Sequence, residues 1–226
     1  MGTLYIVATP IGNLEDTTLR ALRILKEVDF ILCEDTRVTK KLLSHFGIEK
    51  PTISYHQHSD AKKVSEIVEL LKVGKNLAFV TDAGTPGISD PGNELVSRVF
   101  ESGLQTVRIV SIPGPSALTA VASIAGFPMD KFVFLGFPPV KKGRKKFFEA
   151  VAQAKHPVIF YESPYRILKS LTELQTIDYK LQVVVGRELT KKFETIYRGR
   201  IDEVLKQLKG GETRGEFVVV VGKTRS

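Results

Sequence analysis

The sequence predicts an α/β protein with two α/β domains, the first built on a parallel, doubly wound sheet and the second on a mixed sheet. In the first half of the chain, short apolar runs typical of strands alternate with amphipathic segments typical of helices. Loops rich in glycine, proline and aspartate follow those runs. Near the end of the second half, three strand-like runs have only one helical segment between them. Strands and helices therefore do not alternate there, which favours a mixed sheet. We place the two domains at 1–113 and 114–226.

The elements of the first domain follow from the apolar pattern. Strands are predicted at 3–8, 30–33, 52–55, 77–80 and 106–111. Helices are predicted at 38–46, 61–72 and 94–100, and in an earlier segment that places Leu19, Leu22, Leu25 and Val28 on one face. Asp16 or Thr17 is the expected cap of that earlier helix. Helix 61–72 is expected to turn Val64, Ile67, Val68 and Leu71 inward, and Pro91 suits the first turn of helix 94–100.

The second domain has more strands for its length. They are predicted at 132–137, 157–161, 181–187, 194–197 and 216–221. Helices are expected from the basic segment 141–146 through residue 154, in a segment with Ile167, Leu168 and Leu171 inward, and at 202–208.

Composition sets broad limits on function. The chain of 226 residues is 42% hydrophobic and 26% charged, which is ordinary for a globular protein. The single cysteine, Cys33, fits a reducing cytoplasm, and we expect neither a signal peptide nor a membrane span. The net charge of +8 and a pI near 9.5 favour a polyanionic partner, with nucleic acid the first candidate.

The predicted strand ends gather at one edge of the first sheet. These ends are residues 9–13, 34–37, 56–60, 82–90 and 113–117. Open α/β sheets bind ligands outside the carboxyl ends of their strands, so this edge is the expected site. The loop at 81–92 is the richest in glycine, proline and aspartate, and Gly84 and Gly87 let the backbone approach a bound molecule.

Several common sites are not predicted. The loop after the first strand has no G-x-G-x-x-G pattern, and the chain has neither a P-loop nor a G-x-S-x-G elbow. His56 and His58 share one face of an extended segment and could ligate a metal, but a surface or substrate contact is the favoured interpretation. We expect no metal.

Six motifs follow one another along the chain. They are Thr9-Pro10-Ile11-Gly12-Asn13, Glu34-Asp35-Thr36-Arg37, residues 82–92, Pro113-Gly114-Pro115-Ser116-Ala117, Glu162-Ser163-Pro164-Tyr165-Arg166 and Arg187-Glu188-Leu189-Thr190-Lys191. Together they resemble one family, that of ribosomal RNA small subunit methyltransferase I within the tetrapyrrole methylase superfamily, and the match runs nearly end to end.

The resemblance implies a class III methyltransferase fold, S-adenosylmethionine as the methyl donor, and a cofactor cleft between the two domains. It also implies a homodimer and 2′-O-methylation of a cytidine in the decoding region of 16S rRNA, within the small ribosomal subunit. Carried over by position, the implied cofactor-binding residues are Pro10, Ala83, Gly84, Thr85, Ile88, Ser116, Ala117 and Tyr161. The superfamily's frequent Gly-Asp-Pro is Ala83-Gly84-Thr85 here, and Asp82 is a reserve candidate for the methionine moiety.

Methylation of a ribose hydroxyl needs alignment and benefits from a general base. Candidates at the strand ends are Glu34, Asp35, His56, Glu162 and Glu188, among which we select Asp35 and Glu188. A helix cap or an ion pair is the alternative for each carboxylate, for instance Asp35 capping the next helix.

Phosphate contacts of the RNA require cations. The basic residues expected there are Lys141, Lys142, Arg144 and Lys191, and Arg37, His56 and Arg187 are further candidates for substrate contact. A solvated helix start is the alternative for residues 141–146, and ion pairs are the alternative for the arginines.

Two other functions stay open. Another enzyme of the same superfamily would act on a tetrapyrrole or a protein histidine, and tetrapyrrole precursors are also polyanions. A non-catalytic RNA-binding protein of ribosome assembly would not need the shaped loop at 82–92. Cofactor binding separates this last alternative from both enzymes.

Overall fold

The computed structural model describes residues 1–56, 59–90, 92–103 and 107–222. His58, Pro91 and Thr106, to which the sequence assigned roles, lie outside the described residues. The chain divides into two compact units, Met1–Ser116 and Ala117–Ser226. Among the described residues, no helix combines the length and apolar character that crossing a bilayer requires.

The first unit contains a five-stranded sheet. Its strands are β1 (Thr3–Val7), β2 (Phe30–Cys33), β3 (Thr52–Ser54), β4 (Leu77–Val80) and β5 (Arg108–Ile112). Their order is β3-β2-β4-β1-β5, and every neighbouring pair is parallel. The predicted parallel sheet is therefore confirmed, and β4, β1 and β5 present their carboxyl ends side by side.

Helices cover both faces of this sheet. They are α1 (Leu19–Glu27), α2 (Thr36–His45), α3 (Ala61–Lys72) and α4 (Gly92–Glu101). Because successive strand residues face opposite sides, Leu77 and Phe79 of β4 join the core under α3 and α4. Ala78 and Val80 join the core under α1 and α2. The sheet is thus doubly wound, as predicted, and all four α3 residues expected to face inward are buried.

The start of α1 differs from the prediction. Thr18 is the cap, because its hydroxyl accepts the Ala21 N–H at 3.1 Å, whereas a separate 3₁₀ turn (Leu14–Asp16) takes up the polar residues before it. The predicted caps Asp16 and Thr17 were therefore wrong. The inward face was also partly wrong, since Leu19 is 86% exposed and the buried residues are Ala21, Ile24, Leu25 and the following Val28.

The second unit has the predicted mixed sheet. Its strands are β6 (Val133–Phe134), β7 (Val158–Glu162), β8 (Gln182–Arg187), β9 (Thr195–Arg200) and β10 (Phe217–Gly222). The order is β6-β7-β10-β8-β9, with β6 and β7 parallel and the other neighbours antiparallel. β6 is shorter than predicted, because the chain turns at Gly136, whose φ is +61°, before two prolines.

Four helices accompany the second sheet. They are α5 (Ala117–Ile124), α6 (Arg144–Gln153), α7 (Ile167–Ile177) and α8 (Ile201–Lys209). The last three bury one face of the sheet around Phe160, Val185 and Val219. α5 packs against β10. There the Phe127 ring lies so close to Gly222 that an added Cβ would approach its Cδ1 to 2.8 Å.

The assignment of the α1 cap is testable with two adjacent threonines. Thr18→Ala removes the acceptor of the Ala21 N–H and should lower the free energy of unfolding by about 0.5–2 kcal/mol. Thr17→Ala removes a buried hydroxyl that lacks a hydrogen-bond partner among the described residues, so it should leave stability unchanged or raise it. Urea denaturation of both variants measures the difference, and a larger loss for Thr17→Ala would overturn the assignment.

Candidate functional site

The loop between β4 and α4 is held in shape by one aspartate. Asp90 Oδ1 accepts the backbone N–H of Gly87 at 2.6 Å and that of Gly92 at 2.8 Å. The Asn93 side chain donates to the Gly87 carbonyl at 2.7 Å. Gly87 has a φ of +90°, and a Cβ there would approach Asn93 Oδ1 to 2.7 Å, so this position requires glycine. The loop is a built structure rather than a loose connection.

The same loop is joined to the two neighbouring strand ends. Thr9, just after β1, exchanges both backbone hydrogen bonds with Gly84, at 2.9 and 3.1 Å. The Thr9 hydroxyl donates to the Thr81 carbonyl at 3.2 Å. The Thr85 hydroxyl donates to the Pro115 carbonyl at 3.0 Å, beyond the end of β5. Three predicted cofactor segments therefore meet at one edge of the first unit.

Two features of this edge suit a bound ligand. Gly84 has a φ of +86°, and a Cβ added to it would lie 3.3 Å from Ile11 Cγ2 and 3.8 Å from the Pro115 carbonyl oxygen. The Thr81 hydroxyl is buried and has no hydrogen-bond partner among the described residues. A buried hydroxyl usually has a partner, so a polar ligand group would complete this one.

The carboxylates of Glu34, Asp35 and Asp82 lie beside the loop, and their surroundings shift their pKa values in opposite directions. Burial raises the pKa of Glu34, the charges of Asp82 and Asp90 raise it further, and the nearby His56 opposes the shift. Exclusion of water also raises the pKa of Asp82, whose Oδ1 accepts the Asp35 backbone N–H at 3.2 Å. Hydrogen bonds from Arg37 lower the pKa of Asp35 to about 2. The pKa values of Glu34 and Asp82 are thus both raised, whereas Asp35 is held ionised.

Asp35 and Arg37 form a local pair. Asp35 is the N-cap of α2 and accepts the Arg37 backbone N–H at 2.8 Å, while the Arg37 side chain contacts both of its carboxylate oxygens. The cap that sequence analysis held as the alternative for Asp35 is present. His56 lies at the same strand-end edge and is exposed, with its backbone N–H donating to the Ser59 hydroxyl.

Of the other predicted cofactor residues, some are buried and some are exposed. Pro10 is buried in the loop after β1, whereas Ala83 and Ile88 are exposed on the β4–α4 loop. Ser116 is the last residue of the first unit, and Ala117 begins α5 in the second.

In the second unit, Tyr161 and Glu188 both lie near strand ends. Tyr161, on β7, is partly buried, and its ring contacts those of Phe134 and Phe137 at centroid distances of 5.0 and 5.4 Å. Glu188 has a φ of +51°, and its carboxylate accepts the Glu216 N–H at 2.8 Å and Lys191 Nζ at 2.9 Å. Burial works to raise the pKa of Glu188, but these bonds outweigh it and the net pKa is lowered.

Two arginines expected to contact substrate are instead internal. Arg144 is buried and donates to Glu173 at 2.8 Å, to Ser170 at 2.7 Å and to the Pro139 carbonyl at 3.1 Å. Arg187 is also buried and donates to the carbonyls of Arg214 and Phe193 at 2.7 and 3.1 Å. These guanidinium groups hold the second unit together, which corrects their assignment to substrate. Lys141 and Lys142 are exposed, and Lys191 bridges Glu188 and Glu216.

Sequence analysis missed three residues that shape the edge. Asp90 and Thr9 hold the β4–α4 loop, and Thr81 supplies the buried hydroxyl. The one signal available was the position of Asp90, an acidic residue two places before a glycine in a turn-rich loop. The other two depend on contacts between strands that are distant in sequence.

A family model described as Tetrapyrrole (Corrin/Porphyrin) Methylases matches residues 3–205. The chain belongs to this methylase family. Among its relatives, the ribosomal RNA small subunit methyltransferase I of Thermotoga maritima is 42% identical over 221 residues, covering 98% of each chain. The protein of the same name from Streptococcus pyogenes serotype M3 is 46% identical over 221 residues, covering 97% of this chain and 76% of its own. The family resemblance predicted from the motifs is confirmed.

Solved structures of other methyltransferases share the fold. The methyltransferase CobJ superposes with a TM-score of 0.71 at 17% identity and covers 100% of this chain and 97% of its own. The uroporphyrin-III C-methyl transferase of Thermus thermophilus, complexed with S-adenyl homocysteine, gives a TM-score of 0.65 at 19% identity, with 98% and 97% coverage. These likenesses confirm the predicted fold class.

S-adenosylmethionine is the methyl donor of the tetrapyrrole methylase family, which confirms the predicted cofactor. The strand-end edge fits a molecule of this chemistry. The left-handed Gly84 gives backbone access, the Thr81 hydroxyl offers an unused polar group, and the Asp82 carboxylate can face the cationic part of the donor. When bound, the cofactor supplies a methyl group already activated on a sulfonium.

Gly84 provides a direct test of this site. Gly84→Ala places a methyl group against Ile11 in a backbone conformation that L residues rarely adopt, so affinity for S-adenosylmethionine should fall at least tenfold. Gly74→Ala is the matched control, because Gly74 has a φ of +89° but open space around its Cβ position. Calorimetric titration of both variants, with unfolding curves to compare stability, separates the effects. Equal affinity in the two variants would contradict this location of the site.

Proposed function

We propose that the chain transfers a methyl group from S-adenosylmethionine to the 2′-hydroxyl of a cytidine in the decoding region of 16S rRNA. The observation that carries this proposal is the similarity, at 42–46% identity over 97–98% of this chain, to proteins named ribosomal RNA small subunit methyltransferase I. The net charge of +8 fits a phosphate-rich substrate. The choice of a cytidine and of the 2′-oxygen rests on the motif resemblance alone.

Such a transfer depends mainly on alignment. The attacking oxygen, the methyl carbon and the sulfur must lie in line, and holding them so can supply up to about 7–11 kcal/mol of the barrier in ideal cases. The β4–α4 loop, closed by Asp90 and joined to the β1 and β5 ends, offers a rigid support for the donor. Rigidity of this kind favours precise positioning over induced closure.

A general base helps to activate a ribose hydroxyl, and Glu34 is the group that the geometry of the first unit favours. Its pKa is raised toward the range useful for proton transfer, and it lies beside Asp82 and Asp90 at the strand-end edge. Asp35 is less suited because its carboxylate, with a pKa of about 2, binds a proton weakly. Glu188 is engaged by Lys191 and by the Glu216 N–H, which likewise lowers its pKa.

The setting of the reaction forms part of the proposal. The substrate is 16S rRNA, taken within the small ribosomal subunit in the cytoplasm, and the enzyme acts as a homodimer. The names of the relatives support the rRNA substrate.

A tetrapyrrole substrate is the principal alternative. The structures with that chemistry in their titles share only 18–19% identity with this chain, so they support the fold and not the substrate. The rRNA methyltransferase relatives share more than twice that identity over nearly the whole chain.

The test is methyl transfer from radiolabelled S-adenosylmethionine to small ribosomal subunits, followed by separation of RNA from protein. The proposal expects label in the RNA that disappears when the target nucleotide carries a 2′-deoxyribose. Label in the protein fraction, or transfer only to a uroporphyrinogen substrate offered in parallel, would overturn the rRNA assignment.

Substitutions of Glu34 and of its neighbour Asp35 test the assignment of Glu34 as the general base. Glu34→Gln should lower kcat by about 10²- to 10⁴-fold, the range typical of general-base catalysis, with little change in cofactor affinity. Asp35→Asn is the matched control, because asparagine also caps a helix well and should preserve most of the activity.

The pH profile gives the second readout for Glu34. A base with a raised pKa is protonated as pH falls, so wild-type activity should decline on acidification through a value above the ordinary 4.5 of glutamate. Glu34→Gln should lack this acid limb. Full activity in Glu34→Gln, or an equal loss in Asp35→Asn, would exclude Glu34 as the base.

A further inference from the structure

One edge of the second sheet gathers loops that are far apart in sequence. Glu162, at the end of β7, and Arg187, at the end of β8, both pair with Phe217 at the start of β10. The Gly136 carbonyl accepts the Tyr161 N–H at 2.9 Å, so the segment after β6 reaches the same edge. Thr195, which begins β9, pairs with Arg187. The loops at 136–142, 162–166 and 187–195 therefore lie along the same edge of the sheet, with the start of β10 between the last two.

Internal bonds hold these loops in place. Arg166 contacts Glu162 at 3.0 Å and donates to the Pro138 carbonyl at 3.4 Å, which joins the first two loops. Arg187 donates to the Phe193 carbonyl at 3.1 Å, which fixes the third. The edge is consequently a preformed surface.

Each of the three loops presents an exposed aromatic ring. Tyr165 is 96% exposed, Phe193 is 66% exposed and Phe137 is 52% exposed. Large aromatic side chains are normally buried for most of their area, so three of them on loops along one edge of a sheet mark a surface that meets a partner. Lys192 Nζ lies 5.5 Å from the centroid of the Phe193 ring.

Cations accompany the rings, whereas the carboxylates nearby are engaged internally. Lys141, Lys142 and Lys192 are exposed and have no ion-pair partner among the described residues. Glu162 is paired with Arg166, and both Glu188 and Glu216 are paired with Lys191. Glu194 accepts the Thr190 N–H at 2.6 Å. The three exposed lysines therefore remain available at this edge for phosphate contacts.

We infer that this aromatic–basic edge binds single-stranded RNA, with bases stacked on the rings and phosphates beside the lysines. It consists of Phe137, Tyr165, Phe193, Lys141, Lys142 and Lys192. Exposed rings interleaved with unpaired cations are the arrangement that binds unpaired nucleotides, because every base has a face that can stack. A purely apolar partner surface would leave the three lysines unmatched.

This inference rests on the proposed function, because it describes how the rRNA segment around the target would be held. It goes further by predicting that the enzyme needs nucleotides whose bases are free to stack. A fully paired duplex would present its phosphates but not its base faces, and should bind only through charge.

Tyr165 and Tyr179 make a matched pair for the test. Tyr165→Ala should weaken binding of a fluorescently labelled single-stranded RNA from the decoding region by about 5- to 150-fold, the range for one base stacked on an aromatic ring. Tyr165→Phe should bind nearly as well as wild type. Tyr179→Ala should also leave binding unchanged, although Tyr179 is 62% exposed and has Lys180 Nζ 5.7 Å from its ring centroid, because it precedes β8 at the opposite edge.

The lysines are tested by the salt dependence of the same binding. Replacing both Lys141 and Lys142 with glutamine should reduce the slope of log K against log salt by about 1.4, because each single-strand phosphate that is no longer neutralised accounts for about 0.7. Lys155 and Lys180 precede β7 and β8 and so lie at the other edge of the sheet. Replacing both of them with glutamine makes the same charge change and should leave the slope nearly unaltered.

The outcomes separate this inference from the proposed function. If wild type binds the RNA through Tyr165 but transfers no label to rRNA, the edge stands and the function fails. If wild type labels rRNA but Tyr165→Ala binds and reacts like wild type, the function stands and the edge fails. The remaining case is that a second copy of the chain covers this edge, and sedimentation measures it through the oligomeric state. If Tyr165→Ala dissociates a dimer, the edge belongs to that contact and the inference is overturned. Absence of RNA binding in wild type would overturn it as well.

Discussion

The backbone pairing of Thr9 with Gly84 is the constraint on which the candidate site depends. It joins the loops after β1 and β4. It also requires a left-handed backbone conformation at residue 84, which only glycine adopts without strain. Asp90 closes the same loop by accepting two backbone N–H groups. Together they fix about ten residues without regular structure at the carboxyl ends of a parallel sheet, where ligands of α/β proteins bind. A ligand bound at this edge would therefore meet a shape already present in the folded chain.

Local pattern was sufficient to predict most of the fold, because apolar periodicity is set by which face each element buries. β2 and β4 have the predicted bounds, and the inward residues of α3 were identified correctly. The start of α1 could not be predicted in the same way, since Asp16, Thr17 and Thr18 are all plausible caps until the preceding 3₁₀ turn is known. At the site, Gly84 was evident from composition. The buried Thr81 hydroxyl was not, because it depends on how distant strand ends pack.

Arg144 shows that the sequence alone also does not distinguish a buried basic side chain from an exposed one. In the sequence, Arg144 is one of five basic residues within six and nothing distinguishes it from Lys141 or Lys142. In the fold, α6 turns Arg144 inward to meet Glu173 and Ser170, while the lysines stay in solvent. Burying an arginine without partners would be strongly unfavourable, so its hydrogen-bond acceptors must be in place when the core packs around it. The positive charge available to a substrate is consequently smaller than the basic run suggests, and aromatic rings complement it.

The most direct test of this account is amide hydrogen exchange of the intact protein with and without S-adenosylhomocysteine. The account predicts slower exchange in peptides covering residues 9–13 and 81–90, with no change in peptides from the C-terminal half of α3, where the Leu71 carbonyl accepts the Gly2 N–H beside the start of β1, at the opposite end of the sheet. Binding that slows exchange elsewhere and leaves residues 81–90 unaffected would contradict it. In that case the loop would be a rigid connection of the fold, and the cofactor site would have to be sought on other elements.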